Sequence, residues 1–558
     1  MQLGLLITLV SFGYVSCHDD PPVVNTKYGP VRGRRISTLG QEIEVFLSIP
    51  YAKPPLGDLR FLPPQPAVPW NETLDTVEFK TSCFQKHDRN NTGPLPLSED
   101  CLLLNVWTPR GHSESAAVMV YIHGGGFTWG RAEKPEIRGS IIAATQQVIV
   151  VSMNYRLGVF GFLALDSPDS PGNMGLLDQQ FAMAWVRENI HAFGGDPEKI
   201  TIFGHSAGGA SVGYHLLSPG SQSLYRRAIV QSGYVLNPRR AFISKDEAFT
   251  RGLDLARQVG CLDSASNNIQ NVAPILECLK EKPAEELISV QKPFTMFKTP
   301  FPPVIDGTFI TEAPRVLAGK KEFKKTSLLM GVVKHESSDM TFRINLPSFS
   351  PGSDFLMTYE EFQNLVKFFY PYIEDTQSIT SHYVKSPASI DGSQLRSTLI
   401  DLNSDQGYIC PSLELASVYT DAGQDVYFYN FDHRPSLSKV PEWMGIVHGD
   451  ELEYIFGLPL VDENFTNKEV QLSQKMMEFW ANFAKTGNPN KGHENEIDSN
   501  QWPAYGKKKQ YYVLNGKTVH DPLILTNLRG YYCNFWKKQS AFQVNDEEQS
   551  NTIERDEL

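Results

Sequence analysis

A serine set among small residues stands at the centre of the stretch FGHSAGGAS, residues 203–211. The pattern G-x-S-x-G (residues 204–208) is typical of a sharp turn from a strand into a helix, which projects the serine hydroxyl from the end of a sheet. Residues 198–203 predict a short strand and residues 207–218 predict a helix, so the pattern has the context that it needs. We therefore predict that Ser206 is a nucleophile. Such a serine needs a general base, an acid that orients the base, and donors for an oxyanion.

A glycine-rich loop is the candidate oxyanion hole. The stretch YIHGGGF (residues 121–127) comes at the end of a predicted strand. Glycines let backbone N–H groups converge on a developing negative charge with no Cβ in the way. The expected donors are the amides of Gly125, Gly126 and Ala207, the last being the residue after the nucleophile.

The acid and the base should follow the serine in the order serine, acid, histidine. Spacing does not choose among the late histidines, which are His382, His433, His448, His493 and His520. His448 is the most plausible base, because it follows the strand-like run DVYFYNF and precedes a helical segment. Glu336, just past the predicted strand at 326–333, is the favoured acid, and Asp339 is its rival.

Strand-like and helical runs alternate along the first half of the chain. Residues 117–125 and 147–155 are nearly continuous apolar runs, typical of strands buried on both faces of a mostly parallel sheet. A helical pattern follows at 176–193, and a further strand is predicted at 226–233. This alternation indicates an α/β fold. Since no repeat, low-complexity block or linker divides the chain, we predict one α/β domain over residues 18–540, with inserted helices between about 240 and 440.

Composition and charge exclude some classes of partner. The chain has 558 residues and a formal net charge of −12, with no long basic run, which argues against a nucleic-acid partner. After the first residues no segment contains the roughly 18 uninterrupted apolar residues of a transmembrane helix. No motif indicates a bound metal or an organic cofactor, and we expect neither.

The two ends of the chain indicate the secretory pathway. Residues 1–17 predict a signal peptide, because the apolar stretch from Leu3 to about Val10 is too short to span a bilayer and small residues precede a cut after Cys17. Residues 541–558 predict a disordered acidic tail that ends in RDEL, a one-letter variant of the retention signal KDEL. We expect a retention receptor to bind this tail and hold the protein in the lumen of the endoplasmic reticulum; secretion is the alternative.

Cysteines and sequons fit an oxidising compartment. Six cysteines remain once the signal peptide is removed, and an even count in a lumenal chain indicates disulfides. Of the 15 possible pairings, the two that close short local loops leave one further pair: Cys83–Cys101, Cys261–Cys278 and Cys410–Cys533. Asn71, Asn90 and Asn464 begin N-x-T sequons and are predicted to carry glycans.

The sequence resembles type-B carboxylesterases and cholinesterases, in family order from about residue 22 to 536. The stretches that carry the resemblance are SEDCLLLNVWTP (98–109), YIHGGGF (121–127), MNYRLGVFGFL (153–163), GHSAGGASV (204–212), GVVKHESS (331–338), GIVHGDELEYIFGLPL (445–460) and FWANFAKTGNPN (479–490). The resemblance implies an α/β-hydrolase fold, with a large, mostly parallel sheet and helices on both faces. It also implies a serine carboxylesterase that cleaves small-molecule esters through an acyl-enzyme intermediate.

The resemblance also assigns individual residues. It implies that Ser206 is the nucleophile, His448 the base and Glu336 the acid, since the family uses Glu in this role more often than Asp. The stretches GYICPS (407–412) and YYCNFW (531–536) resemble the third disulfide bridge of cholinesterases. A structural salt bridge between Arg60 and Glu99 is implied in the same way.

Two departures from the cholinesterase pattern bear on the substrate. Cholinesterases carry a tryptophan in the first disulfide loop, where its ring binds a quaternary ammonium group, but no tryptophan lies between Cys83 and Cys101. His205 precedes the nucleophile where cholinesterases have Glu. Both departures argue against acetylcholine and towards ER-lumenal carboxylesterases, which include gut esterases of invertebrates.

Two alternative functions remain. Acyl transfer to an alcohol or amine would use the same acyl-enzyme intermediate. A catalytically inactive adhesion or scaffold role is the other alternative, although relatives with that role typically lack the serine and carry a membrane anchor.

Overall fold

A computed structural model describes residues 20–86, 95–111, 115–266, 269–292, 299–342, 346–349, 356–493 and 501–539. Three predicted features lie outside the described residues: the signal peptide at 1–17, the sequon at Asn90, and the tail at 541–558 with its RDEL terminus.

The strands are numbered in chain order. They are β1 (Val23–Thr26), β2 (Gly29–Arg32), β3 (Arg34–Thr38), β4 (Gln41–Pro50), β5 (Leu74–Asp75), β6 (Ser82–Cys83), β7 (Leu97–Ser98), β8 (Leu103–Pro109), β9 (Ala116–Ile122), β10 (Ile149–Met153), β11 (Ala164–Ser167), β12 (Ser170–Pro171), β13 (Gly195–His205), β14 (Arg227–Gln231), β15 (Leu328–Val333), β16 (Val426–Phe431), β17 (Gln510–Leu514) and β18 (Ile524–Thr526).

The principal helices are numbered in the same way. They are α1 (Ser140–Gln146), α2 (Gly158–Phe162), α3 (Met174–Asn189), α4 (Ala207–Leu217), α5 (Lys245–Gln258), α6 (Ala273–Glu281), α7 (Ala284–Ser289), α8 (Pro314–Lys320), α9 (Ser338–Phe342), α10 (Tyr359–Phe369), α11 (Thr376–Tyr383), α12 (Gly392–Ser404), α13 (Cys410–Asp421), α14 (Leu452–Ile455) and α15 (Asn467–Thr486).

Eleven strands form one sheet, in the order β18–β17–β16–β15–β14–β13–β9–β10–β8–β4–β3. The consecutive strands from β17 to β10 pair in parallel. Antiparallel strands complete both edges, with β18 on one side and β8, β4 and β3 on the other. The large, mostly parallel sheet confirms the predicted α/β-hydrolase fold.

Alternate residues of the central strands point into two different cores. On β9, Val118, Val120 and Ile122 pack with residues of α3 and α4 on one face, whereas Met119 and Tyr121 pack with residues of α1 and α15 on the other. Because helices cover both faces, the strands have no solvent-facing side and appear in the sequence as continuous apolar runs. This is why the strands that position the site were predictable from hydrophobicity alone.

Covalent bonds and one ion pair fasten the loops around the sheet. Disulfides join the three predicted pairs, Cys83–Cys101, Cys261–Cys278 and Cys410–Cys533. Arg60 donates to both carboxylate oxygens of Glu99, from Nε at 2.7 Å and from Nη2 at 2.5 Å, so the ion pair implied by the family resemblance is present. No helix in the described part of the chain is long and apolar enough to cross a membrane.

Candidate active site

The strand-to-helix turn at Ser206 has an uncommon backbone conformation. β13 ends at His205 and α4 begins at Ala207, and the serine between them has φ 60° and ψ −121°. A positive φ is costly for a residue with a side chain and is found mostly where the surroundings enforce it. The Ser206 N–H donates to the carbonyl oxygen of Gln231 at 2.9 Å, which ties the turn to the end of the neighbouring strand β14.

Glycines make this turn possible because other backbone segments touch it. A Cβ on Gly208 would lie 2.0 Å from the carbonyl oxygen of Ile122, at the end of β9. A Cβ on Gly204 would lie 2.5 Å from the Gly208 carbonyl oxygen. Neither distance leaves room for a carbon atom. The two glycines of the G-x-S-x-G pattern are therefore required by packing against β9 and by the turn itself.

The glycine-rich loop follows β9 and reaches the same place. Gly125 and Gly126 have φ values of 119° and 60°, in the region that favours glycine. A Cβ on Gly124 would lie 2.5 Å from the His205 carbonyl oxygen, so this loop also runs directly against the strand-to-helix turn at Ser206. Within the described ranges, the backbone N–H groups of Gly125, Gly126 and Ala207 donate no hydrogen bond. Donors left open in this way are available to an oxyanion.

His448 and Glu336 meet through a short hydrogen bond. The Nδ1 of His448 lies 2.5 Å from Oε2 of Glu336, which is completely buried. The other carboxylate oxygen accepts hydrogen bonds from the Ser232 hydroxyl at 2.6 Å and from the Val333 N–H at 2.9 Å. With its carboxylate fixed from both sides, Glu336 can hold the imidazole of His448 in one tautomer, with the proton on Nδ1.

Two rings pack against the imidazole of His448. Its ring centroid lies 4.4 Å from that of His205 and 4.6 Å from that of Tyr408. Tyr408 belongs to a π-helical turn, Asp405–Ile409, of a kind often found at functional sites. The Nε2 of His448 is buried and has no hydrogen-bond partner in the described part of the chain. This nitrogen is thus held in position and available to a substrate or to the nucleophile.

The other candidate residues lie elsewhere or make different contacts. His433 faces Glu469 at 3.4 Å, His520 faces Gln471 at 3.3 Å, and His382 stacks on Tyr531. None of these three histidines is paired with Glu336. The rival acid Asp339 lines the cavity beside Ser206, but the carboxylate bonded to His448 belongs to Glu336.

A cavity of about 300 Å³ opens on Ser206, His448 and the three loop glycines. Trp129 and Leu452 contribute apolar surface to its wall. Charged side chains line the rest, with cations from Arg131 and Lys134 and carboxylates from Glu136, Asp339, Asp450 and Glu453. The cavity can therefore hold a small molecule with its reacting carbon close to the serine, in mixed polar and apolar surroundings.

Burial shifts the pKa values of several groups around the cavity. It raises the pKa of the Asp450 carboxyl to about 7 and that of the Glu451 carboxyl to about 8, where the charge of Glu336 adds to the rise. It lowers the pKa of His123 to about 3 and that of His205 well below its usual range. Both histidines are therefore neutral at physiological pH. No cluster of three or more His, Cys, Asp or Glu side chains among the described residues could hold a metal ion.

Sequence reasoning missed three residues that contact the site. Ser232 bonds Glu336, Tyr408 packs on His448, and the buried carboxylate of Glu451 lies 3.8 Å from His205. A signal existed only for Ser232, which lies near the end of the predicted strand at 226–233 and directly follows β14. The carboxyl ends of neighbouring parallel strands meet at one edge of a sheet, so this position belongs to the site.

Known proteins resemble this chain over nearly its whole length. A model of the carboxylesterase family matches residues 20–536. The chain belongs to the carboxylesterase family. It is 41% identical to an acetylcholinesterase of Bungarus fasciatus, over 92% of this chain and 85% of that protein. It is 39% identical to a cholinesterase of Mus musculus, over 96% and 89%, and 37% identical to an acetylcholinesterase of Electrophorus electricus, over 99% and 93%. The recognition made from the motifs is confirmed, and the chain is a serine carboxylic ester hydrolase.

We predict that Gly208 cannot be replaced by a larger residue without loss of activity, because it touches the end of β9. The added Cβ of Gly208→Ala should force the turn at Ser206 away from Ile122. A displacement of Ser206 by about 1 Å should lower kcat/KM for p-nitrophenyl acetate about 100-fold. Gly319→Ala in α8 is the matched control, because no atom lies within 4 Å of its added Cβ. A Gly208→Ala enzyme that keeps activity within threefold of the unaltered protein would contradict the packing argument.

Proposed function

We propose that the protein is a carboxylesterase for uncharged esters that works through a Ser206–His448–Glu336 triad. The observation that carries the proposal is the bond between buried Glu336 and Nδ1 of His448. Nε2 of His448 has no hydrogen-bond partner among the described residues, and this histidine lines the same cavity as Ser206. The carboxylesterase family membership supports the reaction class.

In the first half of the reaction the Ser206 oxygen attacks the ester carbonyl carbon while its proton passes to Nε2 of His448. Glu336 stays ionised and stabilises the imidazolium through the Nδ1 proton. The negative charge that develops on the carbonyl oxygen is held by the N–H groups of Gly125, Gly126 and Ala207. The C–O bond to the alcohol then breaks, and the alcohol leaves with the proton that His448 carries.

The second half repeats these steps with water. His448 takes a proton from a water molecule as the water oxygen attacks the acyl-enzyme carbonyl. Collapse of the second tetrahedral intermediate breaks the bond to Ser206, whose oxygen recovers the proton from His448. The carboxylic acid is released and the enzyme returns to its starting state, with no cofactor consumed.

The preference for uncharged esters rests on the aromatic surface of the cavity. Trp129 is the tryptophan in the wall, and Nζ of Lys134 lies 5.0 Å from the centroid of one of its rings. An ammonium already placed on the ring repels a second cation from it. The nearby carboxylate of Glu136 attracts Lys134 and helps to keep it there. His205, neutral and buried, supplies none of the negative charge that a carboxylate at this position would.

The triad is tested by comparing the two candidate acids. Ser206→Ala should abolish labelling by a fluorophosphonate probe, and Glu336→Gln should lower kcat for p-nitrophenyl acetate by roughly four orders of magnitude, because the amide no longer stabilises the imidazolium. Asp339→Asn is the matched control, with an expected loss of less than about tenfold. Equal labelling of the Ser206→Ala protein, or a larger loss from Asp339→Asn than from Glu336→Gln, would refute the assignment.

The substrate preference is tested with two esters of the same shape. Acetylthiocholine and its uncharged isostere, 3,3-dimethylbutyl thioacetate, differ only in the charge of the head group. We expect kcat/KM to be no higher for the cation. In Lys134→Met the kcat/KM for acetylthiocholine divided by the kcat/KM for the isostere should rise about fivefold to thirtyfold, equivalent to about 1–2 kcal/mol of cation–π attraction. Lys325→Met, which removes another lysine that lies over an aromatic ring but outside this cavity, should leave the ratio unchanged. An unchanged ratio in Lys134→Met would contradict the proposal.

We further propose that the protein is retained in the lumen of the endoplasmic reticulum through its RDEL terminus and carries glycans at the exposed Asn71 and Asn464. Three disulfides support an oxidising compartment. Deleting residues 555–558 should move the protein from cell lysate to medium, measured by immunoblot and sensitivity to endoglycosidase H. Deleting residues 545–548 of the same tail should leave it in the cell. An unchanged distribution after removal of the last four residues would overturn the retention proposal.

A further inference from the structure

We propose that His205 and Glu451 share one exchangeable proton beside His448, and that loss of this proton makes His448 a stronger base. Both are positioning residues, since they would act on the reaction through His448. The inference rests on the proposed role of His448 as the general base, and the experiment below separates the two.

His205 and Glu451 lie in the protein interior, next to His448. Nε2 of His205 lies 3.8 Å from Oε1 of Glu451, and the His205 ring packs 4.4 Å from the ring of His448. His205 is 6% exposed and Glu451 is completely buried. Nε2 of His205 and both carboxylate oxygens of Glu451 have no hydrogen-bond partner among the described residues.

Three buried polar atoms without partners are costly unless they interact with one another. The distance of 3.8 Å exceeds a hydrogen bond, but bonds within active sites are often long in the free enzyme and shorten once substrate binds. A proton on the carboxyl of Glu451, directed at Nε2 of His205, gives a partner both to the oxygen that carries it and to this nitrogen. The pair then carries no net charge.

The surrounding groups favour this neutral arrangement. Burial and the negative charges of Glu336 and Asp450 keep the proton of Glu451 bound, against the opposing effect of the Gln231 side chain, which favours the ionised carboxylate. Lys134 and His448 disfavour a positive charge on His205. The Tyr408 ring also packs on His448, and the guanidinium of Arg240 lies over that tyrosine, with its Cζ 4.2 Å from the Tyr408 centroid.

The consequence is a second ionisation that acts on catalysis. When Glu451 gives its proton to solvent, a negative charge appears next to the ring that packs on His448. That charge stabilises the imidazolium form of His448, so proton abstraction from Ser206 or from water becomes more favourable. The rate should therefore rise a second time at alkaline pH, beyond the rise that accompanies deprotonation of His448 itself.

The experiment is a pH–rate profile of p-nitrophenyl acetate hydrolysis from pH 5 to 9.5, corrected with the Ser206→Ala protein for hydroxide-driven hydrolysis. The unaltered enzyme should show an additional rise in kcat of about threefold with a midpoint near pH 8. Glu451→Gln should lose this second rise and keep the acid limb. Asp450→Asn, which removes the adjacent buried carboxyl, is the matched control and should retain the second rise.

Each outcome decides the proposal. A second rise that persists in Glu451→Gln, or that disappears equally in Asp450→Asn, would overturn it, and so would its absence from the unaltered enzyme. If Glu451→Gln folds poorly, His205→Gln gives an independent measurement. Loss of the imidazole should move the midpoint of the second rise in kcat away from its original pH. An unmoved midpoint would contradict the pairing. Active-site titration with a fluorophosphonate keeps the two proposals apart: full labelling with no second rise refutes only the pair, whereas absent labelling refutes the triad.

Discussion

The strand-to-helix turn at Ser206 packs directly on the backbone at the end of β9, and the rest of the site depends on that contact. The missing Cβ of Gly208 faces the carbonyl oxygen of Ile122, and that of Gly124 faces the carbonyl oxygen of His205. This close approach brings the glycine-rich loop, where the N–H groups of Gly125 and Gly126 donate no hydrogen bond to the described residues, next to the turn at Ser206. The same approach holds the serine in its uncommon backbone conformation, because any relaxation of the turn would press α4 into β9.

Residues at the ends of four neighbouring parallel strands complete the arrangement. His123 follows β9, Ser206 follows β13, Ser232 follows β14 and Glu336 follows β15. Since parallel strands all end at one edge of the sheet, residues more than 200 positions apart along the chain become neighbours. His448 comes from a longer connection after β16, and it is held less by the sheet than by its contacts with Glu336, His205 and Tyr408.

The parts of this site that sequence could predict are those with local patterns. Buried strands are continuous apolar runs, the turn has its two glycines, and the loop after β9 has three. The position of His448 after a strand-like run favoured it among five histidines, but spacing did not select it, because its bond to Glu336 spans 112 positions and the spacing of such partners is free to vary. Ser232 is marked by its position near the end of a predicted strand, whereas Tyr408 and Glu451 have no such local pattern along the chain. Only the packing of distant elements, and the π-helical turn that directs Tyr408 inward, makes them part of the site.

The disulfide Cys410–Cys533 follows that π-helical turn directly, since Cys410 is the first residue of α13 and Tyr408 lies two positions before it. The cross-link therefore fastens the segment that presses a ring against His448 to a region near the carboxyl terminus. The contact between the Tyr408 ring and the His448 imidazole is thereby coupled to formation of this disulfide. A chain that folds where thiols stay reduced would hold this segment by non-covalent contacts alone. Oxidising conditions during folding would thus help to order the contact between Tyr408 and His448.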